Sequence, residues 1–296
     1  EQRDGIKYMH DQTLRLMSLG YIPSEIANKI NFPASLARLW HLRGYYGALK
    51  HNVQGIYAYY LGWYDGNPAN LDKLPPRELA IKTLEYMGGI NNVLKRTKID
   101  FEKGEYRWVV YILDQILWAY PDNTEARELA ALTHTQLGFS SENATWRNAY
   151  LSAAQELREG IPSEGKNHRI LRDVLKGMSP ILLLNSLSIR VNGPKAENKF
   201  FTINWKIKNS NIACHSELTN CVLVNREGIH NKAEVTVKIT KDKLSQFALG
   251  EIKLSEINNE IEVIGDGKKL NVLNDILDIF PEWFPIATHS KKVDED

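Results

Sequence analysis

"WHLRGYYGALKHNVQGIYAYYLGWYDG", from Trp40 to Gly66, holds eight of the chain's 28 aromatic residues, two of its eight histidines and few acids. Three environments favour such a stretch: a catalytic pocket, a surface on which nucleic-acid bases stack, and the packed interior of a helical domain. Spacing favours the last. From Ala48 to Leu61, Leu49, Val53, Ile56, Tyr57 and Tyr60 recur as one stripe of a helix. Most of the rings are therefore expected in a helical core rather than on a stacking platform.

The same texture continues on both sides. Ile6, Met9, Thr13, Leu16 and Met17 mark a helix over Gln2–Leu19 that Gly20 stops. Pro23 and Ser24 open the next, and Pro33 opens a third through "FPASLARLWHL". "DGNPANLDKLPP" is a long turn, and helices follow at about 76–87, 90–101, 105–119, 124–137 and 144–158. In "YPDNTEARELAALTHTQLG", Pro121 and Asp122 break one helix, and Ala126, Ala130 and Ala131 let the next pack closely. This junction resembles a tetratricopeptide, but too few repeats are visible for a solenoid, so it predicts a local stack of helical hairpins.

"EGIPSEGKNH" (159–168) has linker composition, and the pattern changes after it. "RILRDVLKGM" is a short helix followed by "SPILLLNSL". "LSIRVNG", "KFFTINWKIKN", "ACHSELTNCVLVNRE" and "AEVTVKIT" then read as strands, the second and fourth alternating apolar and polar residues like a half-buried antiparallel sheet. "KDKLSQFALG", "LSEINNEIEVIGDGKKLNVLNDILDIF" and "FPEWF" are expected as helices with apolar faces. The fold expected is an α-helical domain over 1–160, an α+β domain over 161–289 and a disordered tail at 290–296.

The 296 residues suffice for two domains with a substantial core. A net charge of +1 gives no general attraction to nucleic acid or anionic membranes. No apolar run approaches the length of a membrane span. The first residues are charged, show no signal peptide and begin in mid-helix without Met, so a piece of a longer chain is expected and its compartment stays open. Cys214 and Cys221 could bridge only if they faced each other across a hairpin; buried thiols are the expectation. "NAT" at Asn143 matches a glycosylation acceptor, a tripeptide common by chance.

Chemistry is sparse. The histidines are scattered, HExxH, HxH and CxxC are absent, and His41 and His51 stand ten apart, which is no recognised ligand spacing. GxSxG is absent, and "GDGKKL" (265–270) fails the P-loop frame. No catalytic or metal-ligating residue is therefore assigned. His41, Arg43, Tyr45, Tyr46 and His51 do crowd polar tips among apolar rings. A guanidinium suits a doubly oxygenated anion, and hydroxyls and imidazoles add hydrogen bonds to it. The competing reading is that Arg43 pairs with a nearby carboxylate and the tyrosines line a core edge.

"QRDGIKYMHDQTLRL", "LARLWHLRGYYGALKHNV", "YLGWYDGNPANL", "PDNTEARELAA" and "WRNAYLSAAQELREG" closely resemble the bacterial zinc-dependent alkylsulfatases. The likeness is strong over 1–160 and rests on element order over 166–289. It implies three parts: a metallo-β-lactamase-like catalytic domain with two zinc ions, a helical dimerisation domain, and a domain similar to sterol carrier protein type two. The family's HxHxDH motif is missing here, so the resemblance implies a C-terminal portion, inactive and without zinc when alone, that forms a homodimer and completes the sulfate pocket of its catalytic domain. It points to Tyr46 as the sulfate contact, Tyr45 as the close alternative, Arg43 nearby, and His41 and His51 as weaker candidates. Tyr57, Tyr60 and Trp63 are left to core or dimer interface. A sterol-carrier-like domain implies a tunnel for alkyl or lipid chains, lined by "SPILLLNSL", Phe200, Trp205, Ile207, Phe247 and "LNVLNDILDIF". Competing functions are a stand-alone dimeric lipid-binding module and a helical scaffold for protein partners.

Overall fold

The computed structural model describes residues 1–162, 168–254, 260–281 and 283–289. The chain falls into two compact units, one of residues 1–161 together with the segment from Phe284 onward, the other of Pro162–Trp283. The division lies in the Gly- and Pro-rich linker. By its contacts the last described segment, 284–289, groups with the helical unit.

The helical unit opens with α1 (Gln2–Ser18), α2 (Pro23–Lys29), the one-turn α3 (Ala34–Ala37) and α4 (Leu49–Leu61). Leu16, Ile26, Ala27, Ile30, Val53 and Tyr57 form its first core. "FPASLARLWHL" does not make the single helix expected of it. α3 stops after one turn, and a separate 3-10 turn spans Trp40–Leu42. α1 accommodates that turn through Gly5, where a Cβ would lie 2.7 Å from a Leu42 methyl.

A second core joins α5 (Pro76–Tyr86), α6 (Ile90–Glu102), α7 (Tyr106–Ala119), α8 (Thr124–Ser140) and α9 (Ala144–Glu159). α8 packs on both α7 and α9. Ala126, Ala130 and Ala131, each 1% exposed or less, allow that approach, as their small side chains predict. Pro121 and Asp122 lie in the α7–α8 turn, and the Asn123 side chain caps α8 by accepting from Ala126 N at 2.8 Å.

The second unit is α+β. It runs α10 (His168–Gly177), α11 (Pro180–Ser188), β1 (Phe201–Ile207), β2 (Ala213–Thr219), β3 (Val222–Glu227), β4 (Val235–Ile239), α12 (Lys241–Leu249), β5 (Ile261–Gly265) and α13 (Lys268–Ile276). Among the described residues the sheet has five strands in the order β3-β2-β1-β4-β5. β1 and β4 are parallel, with Ile203 opposite Val235, and the other neighbours are antiparallel. Phe201, Ile203, Trp205 and Ile207, two apart along β1, are all buried in one core with Leu183, Leu184 and Phe247. Trp205 Nε1 donates to Ser216 Oγ at 2.8 Å, and Asn225 Nδ2 donates to the Leu184 carbonyl at 3.0 Å, which fixes α11 to the sheet.

Several local expectations change here. "LSIRVNG" is the end of α11 and a turn, with one isolated bridge from Val191 to Leu277. "LSEINNEIEVIGDGKKLNVLNDILDIF" is not wholly helical: its middle is β5, paired to β4 with Ile261 opposite Ile239 and Val263 opposite Val237. Gly265 ends that strand at φ 101°, and a Cβ there would meet the Glu234 carbonyl oxygen at 2.4 Å. The described residues of "FPEWF" form no helix, and Phe280, Trp283 and Phe284 are exposed. Cys214 and Cys221 are free thiols, Cys214 buried, with Asn220 and Cys221 forming the positive-φ turn between β2 and β3. Of the residues expected to line a tunnel, Trp205, Ile207 and Phe247 are packed in the unit's core, whereas Phe200 is exposed. The 290–296 tail lies outside the described residues. No described helix is long and apolar enough to cross a membrane.

Candidate functional site

The aromatic stretch from Trp40 to Gly66 is largely a surface. Val53 and Tyr57 are its buried members, while Trp40, Tyr46, Tyr59 and Trp63 are each at least 74% exposed. The expectation that most of these rings form core is therefore corrected. α4 carries Tyr57, Tyr59 and Tyr60; it packs on α1 and α2 with Tyr57 buried, while Tyr59 is turned to solvent.

Between the 3-10 turn and α4, residues 43–48 run as an irregular loop against the N-terminus of α9. Arg43 forms a salt bridge with Glu142, and its guanidinium lies 5.3 Å from the centre of the Tyr45 ring. The Gly44 carbonyl accepts from Asn143 Nδ2 at 3.0 Å. The Tyr45 carbonyl accepts from Ala144 N at 2.7 Å. The Tyr46 carbonyl accepts from Asn143 Nδ2 at 2.7 Å and from Thr145 Oγ1 at 3.1 Å. Backbone N–H groups in the first turn of a helix have no partner inside it, so carbonyl oxygens from a neighbouring loop are natural acceptors there. Asn143 also caps α9, its Oδ1 accepting from Trp146 N at 2.8 Å.

The five candidate residues are thus partly assembled. Arg43, Tyr45 and Tyr46 share this loop, with the Tyr45 side chain half-exposed and Tyr46 at 80% exposure. His51 lies in the first turn of α4, edge-on to Trp146 at 6.5 Å. His41 lies in the 3-10 turn, where its ring meets that of Trp40. The carboxylate partner for Arg43, the competing reading of that residue, is present in Glu142.

Sequence reasoning missed Glu142 and Asn143, which lie 97 to 99 positions beyond the residues they hold. The cap was available as a signal, since Asn immediately precedes the start of an apolar helix. The same Asn is 5% exposed with both amide hydrogens donated, so the glycosylation match has no accessible side chain behind it. Among the described residues no three His, Cys, Asp or Glu gather as metal ligands. The two zinc ions implied by the resemblance find no such donor set among the described residues.

Known proteins supply the remaining context. The family description "Alkyl sulfatase dimerisation" matches residues 22–160, and "Alkyl sulfatase C-terminal" matches residues 169–289. The chain is 41% identical over 289 residues to an alkyl/aryl-sulfatase of Saccharomyces cerevisiae, covering 97% of this chain and 44% of the relative. It is 40% identical over 294 residues to an (R)-specific secondary-alkylsulfatase of Pseudomonas sp., again covering 97% of this chain and 44% of the relative. A solved structure of the stereoselective inverting sec-alkylsulfatase Pisa1 from Pseudomonas sp. superposes with a TM-score of 0.86 at 39% identity, over 95% of this chain and 44% of that one. The chain thus spans less than half the length of these relatives, and it belongs to the alkylsulfatase family, of which it carries the dimerisation and C-terminal domains.

Proposed function

We propose that this chain is the non-catalytic C-terminal part of an alkyl sulfate ester hydrolase, and that its helical unit lends the Tyr46 hydroxyl to the sulfate end of the substrate pocket. The observation that carries this reading is the loop 43–47. Its backbone is tied carbonyl by carbonyl to α9, while the Tyr46 ring stands 80% exposed. A backbone so held beneath so exposed a side chain suits a residue offered to a partner surface. The phenol hydroxyl donates to an anionic sulfate oxygen, a charge-assisted bond. Tyr45 is the alternative donor. Arg43, engaged by Glu142, acts through the loop's shape, and His41 and His51 flank it. The bond-breaking step belongs to a metallo-β-lactamase-like catalytic domain that this chain does not contain, and the zinc belongs with it.

Two measurements test the reading. Pure chain should not turn over dodecyl sulfate; turnover abolished by a chelator would refute the assignment. In the intact enzyme, Tyr46→Phe removes one hydrogen bond to a charged group, about 1.5–3 kcal/mol. The expected loss is roughly ten- to a hundredfold in kcat/KM, with folding unchanged because the ring remains. Unchanged kinetics would return Tyr46 to an ordinary surface residue.

A further inference from the structure

We infer that Asn143 is a positioning residue for sulfate recognition, holding the backbone of Gly44–Tyr46 in the conformation that presents the Tyr46 hydroxyl. The inference rests on the reading of Tyr46 given above and adds a residue remote in sequence. Four consecutive residues of the loop, Arg43 to Tyr46, are each held by one of the four consecutive residues Glu142 to Thr145. Asn143 is the centre of this contact. It is 5% exposed, and its amide is fully used. Oδ1 accepts from Trp146 N, the two Nδ2 hydrogens go to the Gly44 and Tyr46 carbonyls, and the single Thr145 hydroxyl hydrogen lies between Oδ1 and the Tyr46 carbonyl. The orientation of the amide follows from its partners: an N–H of the helix requires the oxygen, and two carbonyls require the nitrogen.

This double duty is specific to a primary amide of this length. Asp and Ser are good N-caps and would keep α9 capped. Asp offers no hydrogen to the loop and sets a carboxylate against two carbonyl oxygens. Ser has one short hydroxyl, which cannot donate to both. The cap and the loop anchor can therefore be separated by substitution. A displacement of about 1 Å in a substrate-contacting group can cost a hundredfold in rate, so loosening the loop should act on the chemistry without unfolding the unit.

The test uses Asn143→Asp and Asn143→Ser, with Thr145→Val removing the hydroxyl that lies between Asn143 Oδ1 and the Tyr46 carbonyl while leaving both Nδ2 bonds in place. In this chain, hydrogen exchange of the Ala144 N–H, which the Tyr45 carbonyl holds, should quicken about tenfold or more in both Asn143 variants, with the cooperative helical melt kept by the retained cap, and less in Thr145→Val. In the intact enzyme, Asn143→Asp should lower kcat/KM for an alkyl sulfate by about tenfold or more, and adding it to Tyr46→Phe should cost little further, since both act through one hydroxyl. Unchanged exchange of the Ala144 N–H overturns the clamp. A kinetic loss that simply multiplies that of Tyr46→Phe shows that Asn143 acts elsewhere and overturns the positioning role. If Tyr46→Phe is itself silent while the loop loosens as expected, the sulfate reading of Tyr46 has failed and the clamp is only a structural contact.

Discussion

Trp63 and Trp205 carry the same side chain into opposite surroundings. Trp63 is 75% exposed just beyond α4, whereas Trp205 is fully buried in β1 with its indole N–H donated to Ser216. Trp63→Ala should accordingly leave the melting of the monomeric chain, measured at concentrations below those at which it associates, almost unchanged, within the range of about 0.5 kcal/mol usual for surface sites. Trp205→Ala should cost about 3–5 kcal/mol through the cavity it leaves, with a matching fall in urea midpoint. Equal losses would mean that Trp63 has a packing partner in solution. The resemblance leaves Trp63 to core or dimer interface, and the structure removes it from the core of the chain. The reason is general: periodicity says which residues share a helix face, not whether another element covers that face. Trp205 was easier to read because alternation in "FTINWKI" identifies a strand, and the side chains two apart then fall together on one face of a sheet. The candidate loop was legible in its residue types but not in its support. Nothing in "RGYYG" indicates that its carbonyls end on residues 143–145.

At the scale of elements, the segment 286–289 is bound to the helical unit through two carboxylates. Glu156 of α9 accepts from Ile286 N at 2.9 Å, Ala287 N at 3.0 Å, and Thr288 N and Oγ1 both at 2.8 Å. Asp114 of α7 meets His289 Nε2 at 2.6 Å, and the His289 ring stacks on Trp118 with centroids 4.0 Å apart. Burial pushes the Glu156 carboxyl up, but these hydrogen bonds to its charged form outweigh burial, and its pKa lies below the usual glutamate value. A carboxylate whose pKa is lowered on folding contributes stability that is fully present above its unfolded pKa and is lost as pH falls through the folded one. Half-buried His134 on α8, its pKa lowered by desolvation, adds a loss of the same sign as pH falls below the ordinary histidine value. Comparison of Glu156→Gln with the parent at each pH isolates the carboxylate. Gln keeps one acceptor but turns an NH2 toward backbone N–H groups, so about 2–4 kcal/mol should be lost near neutral pH. The gap in urea stability should close as the pH is lowered through and below the carboxylate range. A gap that persists at low pH would show that charge on Glu156 is not what holds the segment. None of this was readable in "FPEWFPIATH", where aromatic content suggested a helix, because the attraction comes from a buried carboxylate 130 residues away or more. β5 was lost for a different reason. Ile261 and Val263 alternate with Glu260 and Glu262, a sound strand signal. It is only a few residues long and sits within an apolar pattern that continues as α13, so a long window averages it into a helix.

At the scale of the whole molecule, the exposed rings of the helical unit bear on assembly. Trp40, Tyr59, Trp63, Tyr86, Trp108 and Phe139 are each at least 47% exposed, in a unit whose own core is complete. Where exposed apolar side chains gather into one large patch, they mark an interaction surface. The match of residues 22–160 to an alkyl sulfatase dimerisation domain names the kind of partner such a surface fits, a second copy. The chain should therefore sediment as a dimer at micromolar concentration, through the helical unit. A stable interface of this kind buries roughly 2,000 Å² or more in total and has an apolar centre. Its strength should rest on a few of these aromatic side chains. Paired charge reversals elsewhere on the surface should leave association intact, whereas Trp63→Ala together with Tyr59→Ala should shift the population toward monomer without lowering the far-UV helical signal. This outcome reconciles the two readings of Trp63: a residue that contributes little to the fold of one copy can contribute strongly to the association of two. If the parent chain sediments as a monomer at tens of micromolar, the helical unit does not dimerise unaided. The exposed aromatic residues would then have to be covered by the catalytic domain, and the same double substitution in the intact enzyme should weaken that domain's attachment instead.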